Sequence, residues 1–125
     1  MRELPPEALE HIAAYFQALS EPTRLQLINL LRGGERNVGE LARACGCTTA
    51  NASKHLALLA QQGMVARESR GTSVYYRIAD ATIDALCDLV CDTLARQFEQ
   101  RAQDSALFGR AGAAGAPERP APGAA

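Results

Sequence analysis

Apolar side chains recur three and four residues apart over most of this chain, and one stretch interrupts that period. Leu9, Ile12, Ala13, Phe16 and Leu19 follow Pro5 and Pro6, whose fixed φ suits a first helical turn, and together they predict an opening helix. Ser20, Glu21, Pro22 and Thr23 break it and cap a second helix, which carries Leu25, Ile28 and Leu31 and stops at Gly33-Gly34. Asn37-x-x-Glu40 has the spacing of a capping box and opens a short third helix, Val38 to Cys45. After a turn at Gly46, Thr48 or Thr49 caps a fourth helix that reaches about Gln62, turns Ala52, Leu56 and Leu59 inward and ends at Gly63. The period then drops to two. Met64–Glu68 and Ser73–Ile78 read as the strands of a hairpin joined through Ser69-Arg70-Gly71-Thr72, and Asp80 caps a long last helix to roughly Asp104.

Two helices joined by a Gly-bearing turn, the second polar on one face, and then a basic hairpin make a winged helix-turn-helix, a mainly α fold with a two-stranded β-wing. That shape suits double-stranded DNA: a helix enters the major groove, Thr and Asn offer donors and acceptors to base edges, and wing arginines reach phosphates. We place this domain at residues 1–105. Residues 106–125 read as a disordered Ala/Gly/Pro-rich tail, because GRAGAAGAPERPAPGAA has no apolar period to offset chain entropy.

Charge sharpens the picture. The net charge of −1 conceals a segregated chain, with Arg36, Arg43, Lys54, Arg67, Arg70 and Arg77 against Glu40 and Glu68 in the middle and an acidic excess from Asp80 to Asp104. A basic middle on an acidic frame fits a DNA-facing surface. The first residues hold acids and no apolar signal core, and no window approaches a membrane span, so a cytoplasmic protein without a membrane partner is expected. Its four cysteines then stay reduced unless they hold metal or meet oxidants. Catalysis is not expected. A thiol enzyme needs a base, His11 and His55 are both distant in sequence from any cysteine, and no Gly-rich phosphate loop or H-x-x-x-H pair is present. An interaction module that has kept the wing but lost DNA is the rival reading.

FQALSEPTRLQLINLL (Phe16 to Leu31), VGELARACGCTTANASKHLALLAQQGMV (Val38 to Val65) and GTSVYYRIAD (Gly71 to Asp80), in that order, resemble ArsR/SmtB-type repressors over about Glu7 to Arg96. The resemblance implies a homodimer through the first and last helices that binds an inverted-repeat operator and leaves it on a chemical signal. Position by position, it gives DNA reading to Thr49, Ala50, Asn51, Ser53 and Lys54, with Thr48 at the helix N-terminus and Arg67, Arg70 and Thr72 on the wing. Lys54 and the wing arginines are expected on phosphates, and Asn51 and Thr49 on base edges. His55 is expected to pack or hydrogen-bond within the motif. Where metal-sensing members carry a C-x-C ahead of an acid in the third helix, this chain has Asn37 and Gly39 in front of Glu40, and its last helix has no histidine. Ligands therefore do not carry over.

The chain's own thiols stand elsewhere. Cys87 and Cys91 are one turn apart, at the edge of a stripe of Ile83, Leu86, Val90, Leu94 and Phe98. Cys45 and Cys47 flank the turn before the fourth helix, where the positive end of its dipole favours a thiolate at Cys47. All four are candidates for a thiol-directed signal: a bound soft ion such as arsenite, zinc or cadmium, an oxidant, or a reactive sulfur species. A trigonal arsenite needs three thiolates, so a third would come from the partner chain or the turn. The alternative is that the cysteines pack as small hydrophobes and the switch is neither metal nor redox.

Overall fold

The computed structural model describes residues 3–109. The first of its two units ends at Ile83 and the second begins at Asp84. The chain runs α1 (Pro6–Leu19), α2 (Pro22–Arg32), β1 (Arg36–Asn37), α3 (Val38–Cys45), α4 (Thr49–Gln61), β2 (Val65–Arg70), β3 (Ser73–Ile78) and α5 (Ala81–Leu107). The tail expected over 106–125 lies outside the described residues from position 110 onward.

Local chemistry sets the helix ends. Pro6 and Pro22 occupy first turns, where their missing N–H costs nothing, and the Glu21 carboxylate accepts the Arg24 N–H at 3.0 Å to cap α2. Gly63, at φ +75, ends α4, and Met64 N–H donates back to the Leu59 carbonyl at 3.1 Å. The core of the first unit is Leu27, Ile28 and Leu31 from α2, Leu41 from α3, Leu56 and Leu59 from α4, with Met64, Tyr76 and Ile83 closing it.

Three expectations need correction. Leu25, expected inside, is 44% exposed, and Leu27 takes its place. The true inward stripe of α2 is Arg24, Leu27, Ile28 and Leu31, whose period is masked by an arginine in one of its slots. The sheet has three strands, ordered β1-β3-β2, rather than two, because Arg36 pairs with Tyr76 and Asn37 with Tyr75. A two-residue strand has no period to read, and Asn37 both ends it and caps α3. Ser69 and Arg70 belong to the ladder, so the turn is only Gly71-Thr72, with Gly71 at φ +60.

Arg24 is the buried charge in this unit. Its Nε donates to the Ala18 carbonyl at 2.7 Å and its Nη2 to the Gln17 carbonyl at 3.2 Å, which satisfies the open end of α1, while Nη1 meets His55 Nδ1 of α4 at 3.2 Å. At the start of α5, Asp80 accepts the Thr82 N–H at 2.9 Å, and that bond holds its carboxyl below the ordinary range. The cap therefore contributes fully above the normal carboxyl range and fades as pH falls through the lowered value.

In the second unit α5 continues to Leu107, a turn beyond the expected end, and leaves Leu89, Val90, Leu94 and Phe98 exposed. Taken by itself, α1 also exposes Leu9 and Phe16. Arg24→Ala takes the guanidinium from the Ala18 carbonyl and from His55, while the Gln17 carbonyl keeps its bonds from Ser20. Urea unfolding should show a loss of about 1.5–3 kcal/mol. Arg24→Lys should recover only part of it, because one ammonium cannot span the same three acceptors.

Candidate nucleic-acid interface

The helix-turn-helix is built from its caps. Glu40 N–H donates to Asn37 Oδ1 at 2.8 Å and Asn37 N–H to Glu40 Oε1 at 3.2 Å, the reciprocal pair expected from the spacing. Gly46 turns left-handed at φ 66, ψ 33, and Cys47 N–H returns to the Ala42 carbonyl at 3.0 Å. Thr48 then caps α4 by accepting Asn51 N–H at 3.0 Å. With Ala52, Leu56 and Leu59 fully buried, Thr49, Ala50, Asn51 and Lys54 face solvent along the first half of α4, and Ser53 is half-buried at its side. The residues named from sequence for DNA reading thus share one accessible helix segment, although Thr48 spends its hydroxyl on the cap. His55 is half-buried, with its Nδ1 at 3.2 Å from Arg24 Nη1 and 3.8 Å from Glu21 Oε2. It serves the motif's packing, as expected.

The wing arginines point to different faces. By the alternation of a strand and the pairing of Arg67 with Tyr76, Arg67 shares a face with Val74 and Tyr76 and looks toward α4. Arg70 lies on the other face. Its guanidinium donates from Nη1 and Nη2 to both Glu35 oxygens at 2.7 and 2.9 Å, from Nε to Glu68 Oε2 at 3.0 Å, and lies 4.5 Å from the Tyr75 ring centroid. Those two carboxylates raise its pKa further. Glu35 is a site residue that sequence reasoning missed, and no local pattern announces it, since its partner is half the domain away.

Residues 21–67 match the family described as bacterial regulatory protein, arsR family. The HTH-type transcriptional regulator NmtR of Mycobacterium tuberculosis is 33% identical over 85 residues, covering 68% of this chain and 71% of that protein. The chain belongs to the ArsR family. The regulator Rv0324 of the same organism is 39% identical over 82 residues, 66% of this chain but only 36% of that protein. The homodimeric winged helix-turn-helix DNA-binding domain of Mb0332 (fragment 1–100) from Mycobacterium bovis is similar in structure, with a TM-score of 0.70 at 33% identity, covering 80% of this chain and 95% of that one. ArsR-family relatives are transcriptional regulators, and this chain is a winged-helix regulator rather than an enzyme. No helix among the described residues is long and apolar enough to cross a membrane.

The cysteines of this ArsR-family chain occupy two places. In the first unit Cys45 ends α3 and Cys47 lies in the turn, both half-buried. Burial, and then the neighbouring Cys47, push the Cys45 thiol up. In the second unit Cys87 is half-buried and Cys91 exposed, one turn apart on α5. Among the described residues no three His, Cys, Asp or Glu side chains converge as a metal site.

Alkylation by iodoacetamide, followed residue by residue by mass spectrometry, should show Cys45 lagging Cys91 at neutral pH. The lag should narrow as pH rises and the Cys45 thiol ionises. A ratio independent of pH would mean that access alone sets it.

Proposed function

We propose that this chain is a cytoplasmic, homodimeric repressor that binds an inverted-repeat operator and releases it on a thiol-directed signal. The observation that carries the DNA reading is the capped α3–turn–α4 unit, which presents Thr49, Ala50, Asn51 and Lys54 outward beside a wing bearing Arg67, Arg70 and Thr72. Asn51 and Thr49 read base edges, and Lys54 and Arg67 hold phosphates. The exposed apolar residues of α1 and α5 supply surfaces for pairing with a second copy.

The signal enters through cysteines. Cys87 and Cys91 offer two sulfurs on one face of α5, so a soft ion there needs donors from the partner chain, whereas oxidation or persulfide formation does not. Cys47 is the second entry point, because its own N–H closes the turn in front of the reading helix.

Fluorescence anisotropy with an operator from the protein's own upstream region tests this. Lys54→Ala should weaken binding to all sequences and reduce the slope of log K against log salt by about one, while Asn51→Ala should lose about 1–3 kcal/mol of discrimination at one base pair. Arsenite, zinc, cadmium or a persulfide donor should release the DNA, and Cys87→Ser with Cys91→Ser should abolish release by the active agent. Release that survives moves the sensor to Cys45 and Cys47. If none of these agents releases the DNA, the thiol signal is wrong while the repressor reading stands.

Arg70 adds an independent expectation. Its donors are already spent on Glu35 and Glu68, so a phosphate must displace carboxylates to reach it. Glu35→Gln with Glu68→Gln should tighten operator binding and steepen the salt slope by about one contact. An unchanged slope would show that Arg70 stays off the DNA.

A further inference from the structure

The sheet face that carries Arg67 forms one wall of a solvent-open cleft of about 400 Å³, whose other walls are α4 and the start of α3. Its apolar lining is Val38, Ala57, Ala60 and Val74. Ser53, Ala57 and Ala60 stand at i, i+4 and i+7 on one face of α4, and their short side chains leave the gap between helix and sheet unfilled. A volume of this size is within the range of small-molecule sites.

Three polar groups line the same cleft: Ser53, Arg67 and Tyr76. Tyr76 is 4% exposed, yet its hydroxyl has no hydrogen-bond partner among the described residues and is not sealed from solvent. A tyrosine this deeply buried ordinarily finds a partner for that group. Arg67, exposed at the rim, has no carboxylate or carbonyl partner among the described residues, in contrast to Arg24 and Arg70, and the half-buried Ser53 hydroxyl is unused.

We propose that this cleft binds a small organic carboxylate with a compact apolar body. One guanidinium and two hydroxyls match a single negative charge with two acceptor oxygens, whereas a dianion would be left under-neutralised. The body of the ligand lies against Val38, Ala57, Ala60 and Val74. Ser53 and Arg67 are also residues assigned above to DNA, so an occupied cleft withdraws them from the operator. Only this regulatory consequence rests on the DNA reading.

The test uses the full chain and four probes: acetate, isovalerate, benzoate and, as the uncharged control, benzamide. Amide spectra should show saturable shifts at Ser53, Ala57, Val74 and Tyr76 with isovalerate or benzoate, at least about tenfold weaker with acetate and benzamide. Ala57→Leu and, separately, Ala60→Leu fill the cleft and should abolish the shifts, and Tyr76→Phe should weaken them several-fold. The amide spectrum of each variant reports whether it is folded. The site is refuted if no carboxylate gives saturable shifts at these residues, or if a folded cleft-filling variant binds as well as the parent. In anisotropy, carboxylate at ten times its Kd should weaken operator binding about tenfold. Shifts without that loss overturn the coupling and leave the site, while a chain that binds carboxylate but never DNA overturns the repressor reading instead.

Discussion

The arrangement of the first unit depends on where one guanidinium goes. Arg24 occupies a slot in the inward stripe of α2 that Leu27, Ile28 and Leu31 otherwise fill, and a charge placed there is tolerable only with every donor direction answered. The answers come from three helices. The carbonyls of Gln17 and Ala18 end α1, the Glu21 side chain holds the Arg24 backbone at the start of α2, and His55 stands midway along α4. Hydrophobic contact alone would let α4 slide or roll on Leu27 and Ile28, because dispersion has little directional preference. A hydrogen bond at 3.2 Å to one ring nitrogen does not permit that freedom. The polar clamp thus sets the angle at which Thr49, Asn51 and Lys54 are presented, and apolar burial supplies most of the stability.

Legibility from sequence follows the range of the interaction that decides each feature. The capping box at Asn37 and Glu40, the Gly46 turn and the inward set of α4 depend on neighbours within four residues, and all were readable. The polar face of α4 followed from them, since once Ala52, Leu56 and Leu59 are inside, Thr49, Ala50, Asn51 and Lys54 are out. What stayed hidden was decided across the chain. The exposure of Leu25 follows from Arg24 finding acceptors on other helices. The strand β1 exists only because β3 lies beside it, and the role of Glu35 depends on a wing residue 35 positions away. The family resemblance supplied the residues proposed to face DNA as a set, but it treated the wing arginines alike, which strand alternation does not.

That alternation divides the electrostatics of the interface. Arg70 is held by two solvent-accessible carboxylates, whose attraction is screened by salt, and by the face of the half-buried Tyr75. Such a clasp is weak enough for a polyanion to open, yet it keeps the guanidinium in one place before DNA arrives, which lowers the ordering cost of a phosphate contact. Arg67 lies on the face of the sheet that carries Tyr76, exposed to solvent and without a protein partner among the described residues. The two residues therefore offer different routes of control: competition by internal carboxylates on the outer face, and competition by a bound carboxylate on the inner one.

A signal can empty the operator only to the extent that it distinguishes the DNA-competent geometry from the alternatives. At Cys47 that difference is local. The residue's N–H closes the turn that fixes α3 against α4, so a bulky or charged adduct on its sulfur acts within one turn of Thr49. In the proposed dimer, a change at Cys87 and Cys91 acts through how two copies pair, altering the spacing of two reading helices relative to successive turns of the groove. That route has more leverage, since a displacement at the pairing surface moves both helices together. It also demands that the paired state be bistable, for a dimer that merely loosens would lose affinity gradually with no switch. The half-buried position of Cys87 beside the exposed Cys91 suits the second route, because modification of the outer sulfur alters the environment of the inner one. At the turn, burial pushes the Cys45 thiol up, which suppresses its chemistry at neutral pH.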